Sequence, residues 1–269
     1  MRLAVLADLH GNLPALEAVL AHLDAQAVDE VVVAGDVVNG APFSRACWER
    51  VLERGCAVLR GNHERYLLDF GTPRADLAWA GEAFGPLQLA RAQFDDAALA
   101  KVAALPRHLY RPGLLLTHAS YRSDYDTILT ETPTEEVAAM FAGTLEPFIV
   151  RAHNHHWVRR GWDERTLVSI GSVGLPLDGR REAQYLIAEQ QGAGWTFAPQ
   201  FVPYDVEGLL AAMREDYLPA AGPVGRLFYR ELETARWQLI PFFRTFGAAV
   251  DAGELTLERA VARYLAATA

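Results

Sequence analysis

Aspartate, histidine and asparagine side chains follow a series of short apolar segments along the chain. Each segment is typical of a buried strand, and the polar residues come where that strand is expected to end. These residues are Asp8, His10, Asp36, Asn62, His63, His118, His153 and His155. Because the carboxyl ends of parallel strands share one edge of an open α/β sheet, we expect these side chains to converge there.

The chemical types of these side chains favour bound metal ions. Carboxylates, imidazoles and an amide oxygen, without a thiolate, suit manganese, iron or zinc, and manganese is our first expectation. Two such ions about 3.5–4 Å apart can clamp a phosphoryl group and share a bridging hydroxide. A carboxylate between the ions, such as that of Asp36, can bridge them. The residues therefore predict two divalent metal ions.

Strand and helix patterns alternate in the part of the chain that carries these residues. Strands are predicted at residues 2–7, 31–34, 57–59, 114–117, 149–150, 157–162, 166–170, 184–188 and 195–202. Helical spacing follows Asn12 and covers residues 44–54, and another helix is predicted from Thr134. The first three strands and their helices indicate a parallel sheet with right-handed crossovers. Residues 75–105 are rich in alanine and predict a helical insertion over one face of the sheet.

The C-terminal part of the chain has a helical pattern throughout. We divide the chain into a domain at residues 1–204 and a helical extension at residues 205–269, in which residues 227–250 predict one long amphipathic helix. The large apolar residues of this extension must be buried. Packing on the chain's own domain, a homodimer interface and a lid over the metal edge all remain open.

Composition excludes several classes of partner and location. The chain has 269 residues and a formal net charge of −9, which disfavours long nucleic acid as a partner. Two cysteines, Cys47 and Cys56, fit a reducing compartment. The N-terminus does not resemble a secretory signal, and no apolar run reaches the roughly 18 residues of a membrane span. We therefore expect a cytoplasmic protein that does not bind membranes.

Five short blocks occur in the order of a known signature. They are Asp8-Leu9-His10, Gly35-Asp36, Gly61-Asn62-His63-Glu64, His118 and His153-Asn154-His155. Together they resemble the signature of the calcineurin-like metallophosphoesterase superfamily. The run at residues 8–16 is similar to the small bacterial phosphodiesterase branch, and residues 171–174 resemble the late Asn-Pro-Gly-Ser-Val block of that branch. The resemblance spans roughly residues 1–190. It implies an α/β fold of two packed mixed β-sheets flanked by helices, here with an added C-terminal helical segment.

The resemblance also implies a role for each site residue. Two groups of metal ligands would share one bridging carboxylate, that of Asp36. The groups are Asp8, His10 and His155 for the first metal ion, and Asn62, His118 and His153 for the second. His63 would be catalytic with Asp36 but would not bind metal. It would protonate the leaving-group oxygen or stabilise the charged phosphoryl group.

Two positions depart from the pattern of the superfamily. Ala152 stands where a glycine normally precedes the final His-x-His, so strain is expected if that backbone needs a positive φ. Asn39 lies where protein phosphatases of the superfamily carry Asp-Arg-Gly, so their phosphate-gripping arginine is missing. Asn12, Asn39 and Arg122 are candidates for contacts with substrate phosphate. Helix-capping, turn and surface roles remain alternatives for these three residues.

These observations predict a binuclear metal-dependent phosphoesterase. The missing arginine and the resemblance to the small bacterial branch favour a phosphodiester, such as a cyclic nucleotide or another small phosphate ester, attacked by a metal-bridging hydroxide. A phosphoprotein or small-molecule phosphomonoesterase remains open, because residues 59–64 also resemble protein phosphatases. A non-catalytic metal-binding scaffold is a further alternative, although a scaffold would not need His63.

Overall fold

Two five-stranded mixed sheets form the centre of the molecule in the computed structural model, which describes residues 1–268. In chain order the strands are β1 (Arg2–Leu6), β2 (Glu30–Val33), β3 (Ala57–Val58), β4 (His108–Arg111), β5 (Leu114–Thr117), β6 (Phe148–Arg151), β7 (Val158–Trp162), β8 (Arg165–Ser169), β9 (Ala183–Gln191) and β10 (Gly194–Val202). The predicted fold of two packed mixed sheets with helices is confirmed.

Both sheets have a parallel centre and at least one antiparallel edge. The first sheet has the order β10-β9-β1-β2-β3, in which β1, β2 and β3 are parallel and β9 is antiparallel to β1. The second sheet has the order β4-β5-β6-β8-β7, in which β5, β6 and β8 are parallel. The carboxyl ends of six parallel strands therefore point to the edge where the polar residues were expected.

The alternation of side chains along β1 explains how the sheets pack. Leu3 and Val5 are fully buried against the second sheet, in a cluster that includes Leu116 and Val150. Ala4, which lies between them, and Leu6, which follows, face the helices on the other side of the first sheet. Because a strand alternates its faces, an unbroken apolar run is needed where both faces are covered.

Six helices precede the C-terminal part of the chain. They are α1 (Leu13–Asp24), α2 (Ser44–Glu53), α3 (Asn62–Asp69), α4 (Gly85–Ala92), α5 (Asp96–Ala103) and α6 (Thr134–Met140). The Oδ1 atom of Asn12 accepts a hydrogen bond from the Ala15 N–H and caps α1. Helix α3 was not predicted, and it places Asn62 and His63 in a first helical turn rather than at a strand end. Within the predicted insertion, α4 and α5 follow two short 3₁₀ helices at Leu77–Ala80 and Glu82–Phe84.

Four α-helices form the C-terminal part: α7 (Val206–Ala212), α8 (Leu218–Thr234), α9 (Leu239–Asp251) and α10 (Leu257–Ala267), with a π-helical turn at Met213–Tyr217. The predicted single helix at residues 227–250 is therefore wrong. The chain breaks at Ala235, which has a left-handed φ of 51°. The buried Glu231 carboxylate then accepts hydrogen bonds from the Gln238 and Leu239 N–H groups at 2.8 and 3.0 Å, so it caps the new helix.

The C-terminal helices pack on the rest of the chain. Met213, Leu227 and Phe242 are buried in one cluster with Leu175 and Leu177, which follow the second sheet. The boundary at residue 204 and a homodimer interface both stay predictions, and residue 269 of the predicted extension lies outside the described residues. Across residues 1–268, no helix combines the length and apolar character that a membrane crossing requires.

Candidate metal centre

The eight polar residues predicted from the sequence lie together at one edge of the two sheets. Three groups bring their ligand atoms within 4.8 Å of one another: Asp8 with His10 and His155, His10 with Asp36 and His63, and Asp36 with His118 and His153. We call these residues, together with Asn62, the metal-edge cluster. The groups overlap, so the cluster is continuous.

Asn62 and Asp36 occupy the positions in this cluster that the two predicted ligand groups require. The Oδ1 atom of Asn62 lies 2.9 Å from His118 Nε2 and 3.0 Å from His153 Nδ1. The Oδ2 atom of Asp36 lies 3.2 Å from His118 Nε2 and 3.9 Å from His10 Nε2. The Asp36 carboxylate therefore stands between the two groups.

Unpartnered polar atoms test whether the cluster fits metal ions. Both carboxylate oxygens of Asp8 are buried and have no hydrogen-bond partner within residues 1–268. The Nε2 atoms of His10 and His155 lie 3.2 Å apart. An unpaired buried carboxylate is costly, and facing imidazole lone pairs repel, unless a cation lies among them. The donor set therefore fits a divalent metal ion.

Backbone carbonyls fix the orientation of three imidazoles. The Nδ1–H groups of His10, His118 and His155 donate to the carbonyl oxygens of Asn39, Ala34 and Leu175 at 2.7, 2.8 and 2.6 Å. Each bond leaves the Nε2 atom directed into the cluster. Metal-binding histidines are typically held by such a hydrogen bond from the second ring nitrogen.

Left-handed backbone conformations are concentrated at this edge. The non-glycine residues concerned are Asp8, His10, Asp36, Asn39, His153 and His155, with φ between 49° and 73°. Such conformations are uncommon for non-glycine residues, are tolerated best by Asp, Asn and His, and collect at functional sites. Ala152 does not have a positive φ, so the strain considered for it is absent, and the two histidines after it adopt the unusual conformation instead.

A buried carboxylate, that of Glu64, holds the backbone around the cluster. The Glu64 carboxylate accepts hydrogen bonds from the N–H groups of Gly61, Asp36 and Val37 at 2.8–2.9 Å, which joins two of the sequence blocks. Burial raises the pKa of this carboxyl to about 7. Its three backbone bonds give it a buttressing role.

The late block at residues 171–174 supports Asp8 from the other side. The Ser172 hydroxyl and the Gly174 N–H both donate to the Asp8 carbonyl oxygen, at 2.7 and 3.0 Å. A Cβ atom on Gly174 would lie 1.7 Å from the Leu9 carbonyl oxygen, so only glycine fits there. The block therefore positions Asp8, a predicted ligand.

Arg151 connects the loop that carries His118 with the loop that carries His153 and His155, and it was not predicted from the sequence. This fully buried guanidinium donates to Asn154 Oδ1, between His153 and His155, and to the carbonyl oxygen of Ala119, which follows His118. It also donates to the Asp126 carbonyl at 2.8 Å. An arginine at the end of the otherwise apolar strand β6 was the signal that could have revealed it.

The electrostatics of the cluster separate one ion pair from several neutral imidazoles. Burial raises the pKa of Asp8 to about 8. Burial also works against the charged form of Asp36, but the facing His118 and His63 set its pKa well below its usual value. Burial likewise opposes the charge on His118, yet Asp36 raises its pKa to about 9.

Burial is the main cause that lowers the pKa of His10, His153 and His155. A lowered pKa keeps these imidazoles neutral at neutral pH. Metal binding needs the neutral form, so burial prepares these side chains as ligands.

His63 has a partner that orients its ring. The Nδ2 amide of Asn39 lies 2.9 Å from His63 Nδ1 and donates to it, so the neutral ring carries its proton on Nε2. That Nε2 atom lies 3.9 Å from Asp36 Oδ2 and faces the cluster. Burial lowers the pKa of His63 to about 4.

The three predicted substrate contacts are not brought to the cluster in the same way. Asn39 lies beside it but holds His63. Asn12 is buried, and its amide donates to Gly174 O at 2.8 Å and to the Tyr204 hydroxyl at 3.0 Å. Arg122 is half exposed and pairs with Asp126 at 2.8 Å. Their phosphate contacts stay predictions, and these bonds give all three a structural role.

A cavity of about 810 Å³ extends from the metal-edge cluster to the C-terminal helices. His10, Asp36 and His155 line one part of it, while Trp237 and Arg244 line another. The sequence predicted the first part, and for the second it offered only the open alternative of a C-terminal lid over the metal edge.

Comparisons with known proteins agree with this geometry. A family model described as calcineurin-like phosphoesterase matches residues 1–164. The uncharacterized protein MJ0912 of Methanocaldococcus jannaschii is 23% identical over 206 residues, which cover 70% of this chain and 83% of that protein.

Two solved structures share the fold over most of this chain. The metallophosphoesterase from Sphaerobacter thermophilus has a TM-score of 0.70 and 27% identity, and covers 87% of this chain and 98% of its own. The hypothetical protein PH1004 from Pyrococcus horikoshii OT3 has a TM-score of 0.67 and 18% identity, covering 85% and 97%.

Proposed function

Since the chain belongs to the calcineurin-like phosphoesterase family, we propose that it is a binuclear metal-dependent hydrolase of a small phosphodiester. The unpartnered carboxylate of Asp8, among neutral imidazoles whose Nε2 atoms converge, carries this proposal. Such a cluster is unfavourable without cations and becomes a strong metal site with them.

The ligand groups of the proposal follow the distances in the cluster. Asp8, His10 and His155 would hold one divalent ion, and Asn62, His118 and His153 the other. Asp36 would contact both ions, and manganese is the first candidate because the donors are mixed oxygen and nitrogen. When bound, such a pair supplies positive charge to a phosphoryl group and lowers the pKa of water.

His63 would act on the leaving group. Its proton lies on Nε2, which faces the cluster, because Nδ1 accepts a hydrogen bond from Asn39. As the bond between phosphorus and the leaving oxygen breaks, the Nε2–H group would donate a hydrogen bond to that oxygen and stabilise its developing negative charge, and water would supply the proton. The low pKa of His63 keeps the ring in this neutral, hydrogen-bond-donating form at neutral pH.

A diester suits this cavity better than a monoester does. A monoester carries about two negative charges near neutral pH, and the stretch from Gly35 to Gly40 has no arginine to meet the second charge. The cavity also includes apolar side chains such as Leu239 and Ile240, which can contact an organic group on either side of the phosphate. We propose cyclic nucleotides and other small esters as the substrates to test first.

A substrate panel tests this function. The chain would be stripped with chelator, reloaded separately with manganese, iron, zinc or magnesium, and given bis-p-nitrophenyl phosphate, p-nitrophenyl phosphate or a phosphopeptide. We expect metal-dependent turnover with the diester preferred. Asp36→Asn should abolish turnover, while Asp163→Asn, at an exposed turn, should not change it. Preference for the monoester or the phosphopeptide would favour a phosphatase, and metal binding without turnover would favour a scaffold.

The setting of the protein is also proposed. The net charge of −9 argues against long nucleic acid as a partner, and the free thiols Cys47 and Cys56 support a cytoplasmic location.

Phe243 is 42% exposed on α9 and would contribute to a homodimer through the C-terminal helices. Solution mass measured for Phe243→Asp against the unchanged chain tests the dimer.

A further inference from the structure

We propose that the segment at residues 237–244, which we call the C-terminal wall, is the subsite for the organic group of the substrate. The group that fits this subsite is a planar aromatic ring that bears a negative charge of its own. This inference rests on the proposed function, because a phosphoryl group at the metal-edge cluster is what brings the ring to the wall.

The C-terminal wall and the metal-edge cluster line one continuous cavity. The wall contributes Trp237, Leu239, Ile240, Pro241 and Arg244. A volume of about 810 Å³ is within the range of cavities that hold a small organic molecule. A phosphate ester bound at the cluster therefore has room for its organic part in the space beside this wall.

Trp237 fixes the wall next to a predicted metal ligand. Its indole N–H donates to His156 Nε2 at 2.7 Å, and the two rings are stacked with centroids 5.7 Å apart. The indole centroid lies 6.2 Å from the ring of His155. The wall is thus held in place before a ligand arrives, which lowers the entropy lost on binding.

The break between α8 and α9 is what turns the wall toward the cavity. Ala235 ends α8 with its positive φ, and Glu231 caps the start of α9. In a continuous helix, residues two positions apart do not share a face, so Trp237 and Leu239 would not line the same cavity. The break therefore has a role in the site beyond packing.

Aromatic rings lie beside three of the histidines in the metal-edge cluster. The Tyr66 ring lies 5.3 Å from the ring of His63, and the Tyr125 ring lies 5.7 Å from that of His153. With Trp237 beside His155, three histidines of the cluster have an aromatic neighbour that lines the cavity. Aromatic side chains stack on planar rings, nucleobases included, with little dependence on ring identity.

Arg244 gives the wall its charge preference. It is exposed, lines the cavity and makes no ion pair with any residue in the described part of the chain. Of the acids that line the cavity, Glu231 is engaged with the start of α9, and Glu131 lies on an exposed loop. A ligand with an anionic substituent can therefore pair with Arg244 without displacing another partner.

Binding of phosphonates, which the chain cannot hydrolyse at their carbon–phosphorus bond, tests the inference directly. The manganese-loaded chain would be titrated calorimetrically with methylphosphonate, phenylphosphonate and 4-carboxyphenylphosphonate. We expect affinity to rise in that order. Trp237→Ala should weaken both aromatic probes about tenfold and leave methylphosphonate unchanged. Arg244→Gln should weaken only the carboxyphenyl probe, about three- to fivefold.

A control variant separates the wall from general effects. Arg263→Gln changes an exposed residue of α10 that does not line the cavity, and it should not alter any affinity. Trp237→Phe keeps a ring and should retain aromatic binding if Trp237→Ala does not fold. Equal binding of methyl and phenyl probes would overturn the inference while leaving the proposed function intact. Failure of every probe to bind, with no turnover under any metal, would overturn the function as well.

Discussion

The two parts of the cavity are built in opposite ways. The metal-edge cluster consists of buried polar side chains on turns that follow strands, with left-handed backbone at Asp8, Asp36 and His153. The C-terminal wall consists of larger, partly exposed side chains on a helix that begins at Leu239. The first part therefore depends on exact ligand placement, whereas the second depends on how two distant segments pack.

This difference explains which substitutions should be severe. In the cluster, backbone carbonyls hold three imidazoles and the Asp8 carboxylate has no hydrogen-bond partner, so a change at one position alters the chemistry or the metal ions. In the wall, contacts are broad and apolar, so single changes should alter affinity more than chemistry. Each prediction below tests this distinction between the cluster and the wall.

His63→Gln is expected to have the largest effect. Loss of the hydrogen-bond donor positioned at the leaving oxygen should lower turnover by about 10²–10³-fold, while metal content stays the same because His63 is not a proposed ligand. Turnover and elemental analysis of the same sample check this. If metal is lost together with activity, His63 is a metal ligand, and its proposed role at the leaving group is wrong.

Arg151→Met should act on the cluster from outside it. The change leaves the Ala119 and Asp126 carbonyls without their donor, and the loops that carry His118 and His153 lose their connection. We expect metal affinity to fall about 10–100-fold in competition with a chelator. Stability should fall by about 1–3 kcal/mol. Arg151→Lys should restore part of the affinity, and Arg159→Met, on an exposed position of β7, should leave it unchanged. Unaltered metal affinity in the methionine variant would limit Arg151 to a packing role.

Glu231 makes the start of the wall sensitive to pH. Burial raises the pKa of this carboxyl from 4.5 to about 7. A carboxyl with a higher pKa in the folded chain loses stability as the pH rises from the unfolded value through the folded one. The unchanged chain should therefore lose about 1–3 kcal/mol relative to Glu231→Gln between about pH 5 and pH 8. Thermal unfolding of both proteins at each pH measures this, and a constant difference between them would contradict it.

Arg122→Ala should have the smallest effect. The side chain is half exposed and paired with Asp126, so stability should change by no more than about 0.5 kcal/mol. Turnover of a nucleotide and of an aryl phosphate should be unchanged. A selective loss with the nucleotide would restore Arg122 as a substrate contact and extend the cavity beyond the wall.

Much of the cluster could be predicted because its information is local. Asp8, Asp36 and His118 come directly after apolar strands, and parallel strands bring their ends to one edge. Asn39 was placed near the site correctly, but its bond to His63 depends on a turn whose backbone angles cannot be inferred from residue types. The fold of two mixed sheets was likewise implied by ordered blocks that each follow a strand.

The rest depended on contacts between segments far apart in the chain. Residues 227–250 have the spacing of one amphipathic helix, and nothing local marks the break at Ala235. That break is stabilised by Glu231, which lies buried in the fold, and by the packing of Trp237 on His156. Tertiary contacts here outweigh helix propensity, which contributes only fractions of a kcal/mol per residue. The wall was therefore visible only in the structure.

Metal content is the most direct test of the account. The chain would be stripped with chelator, reconstituted with manganese, freed of excess metal and analysed by inductively coupled plasma mass spectrometry, beside Asp36→Asn and the exposed control Asp163→Asn. We expect about two equivalents in the unchanged chain and in the control, because two ligand groups share one carboxylate. Asp36→Asn should hold well under about one equivalent, since the shared charge is lost. Less than about one equivalent in the unchanged chain would contradict the central claim that this cluster is a binuclear metal site.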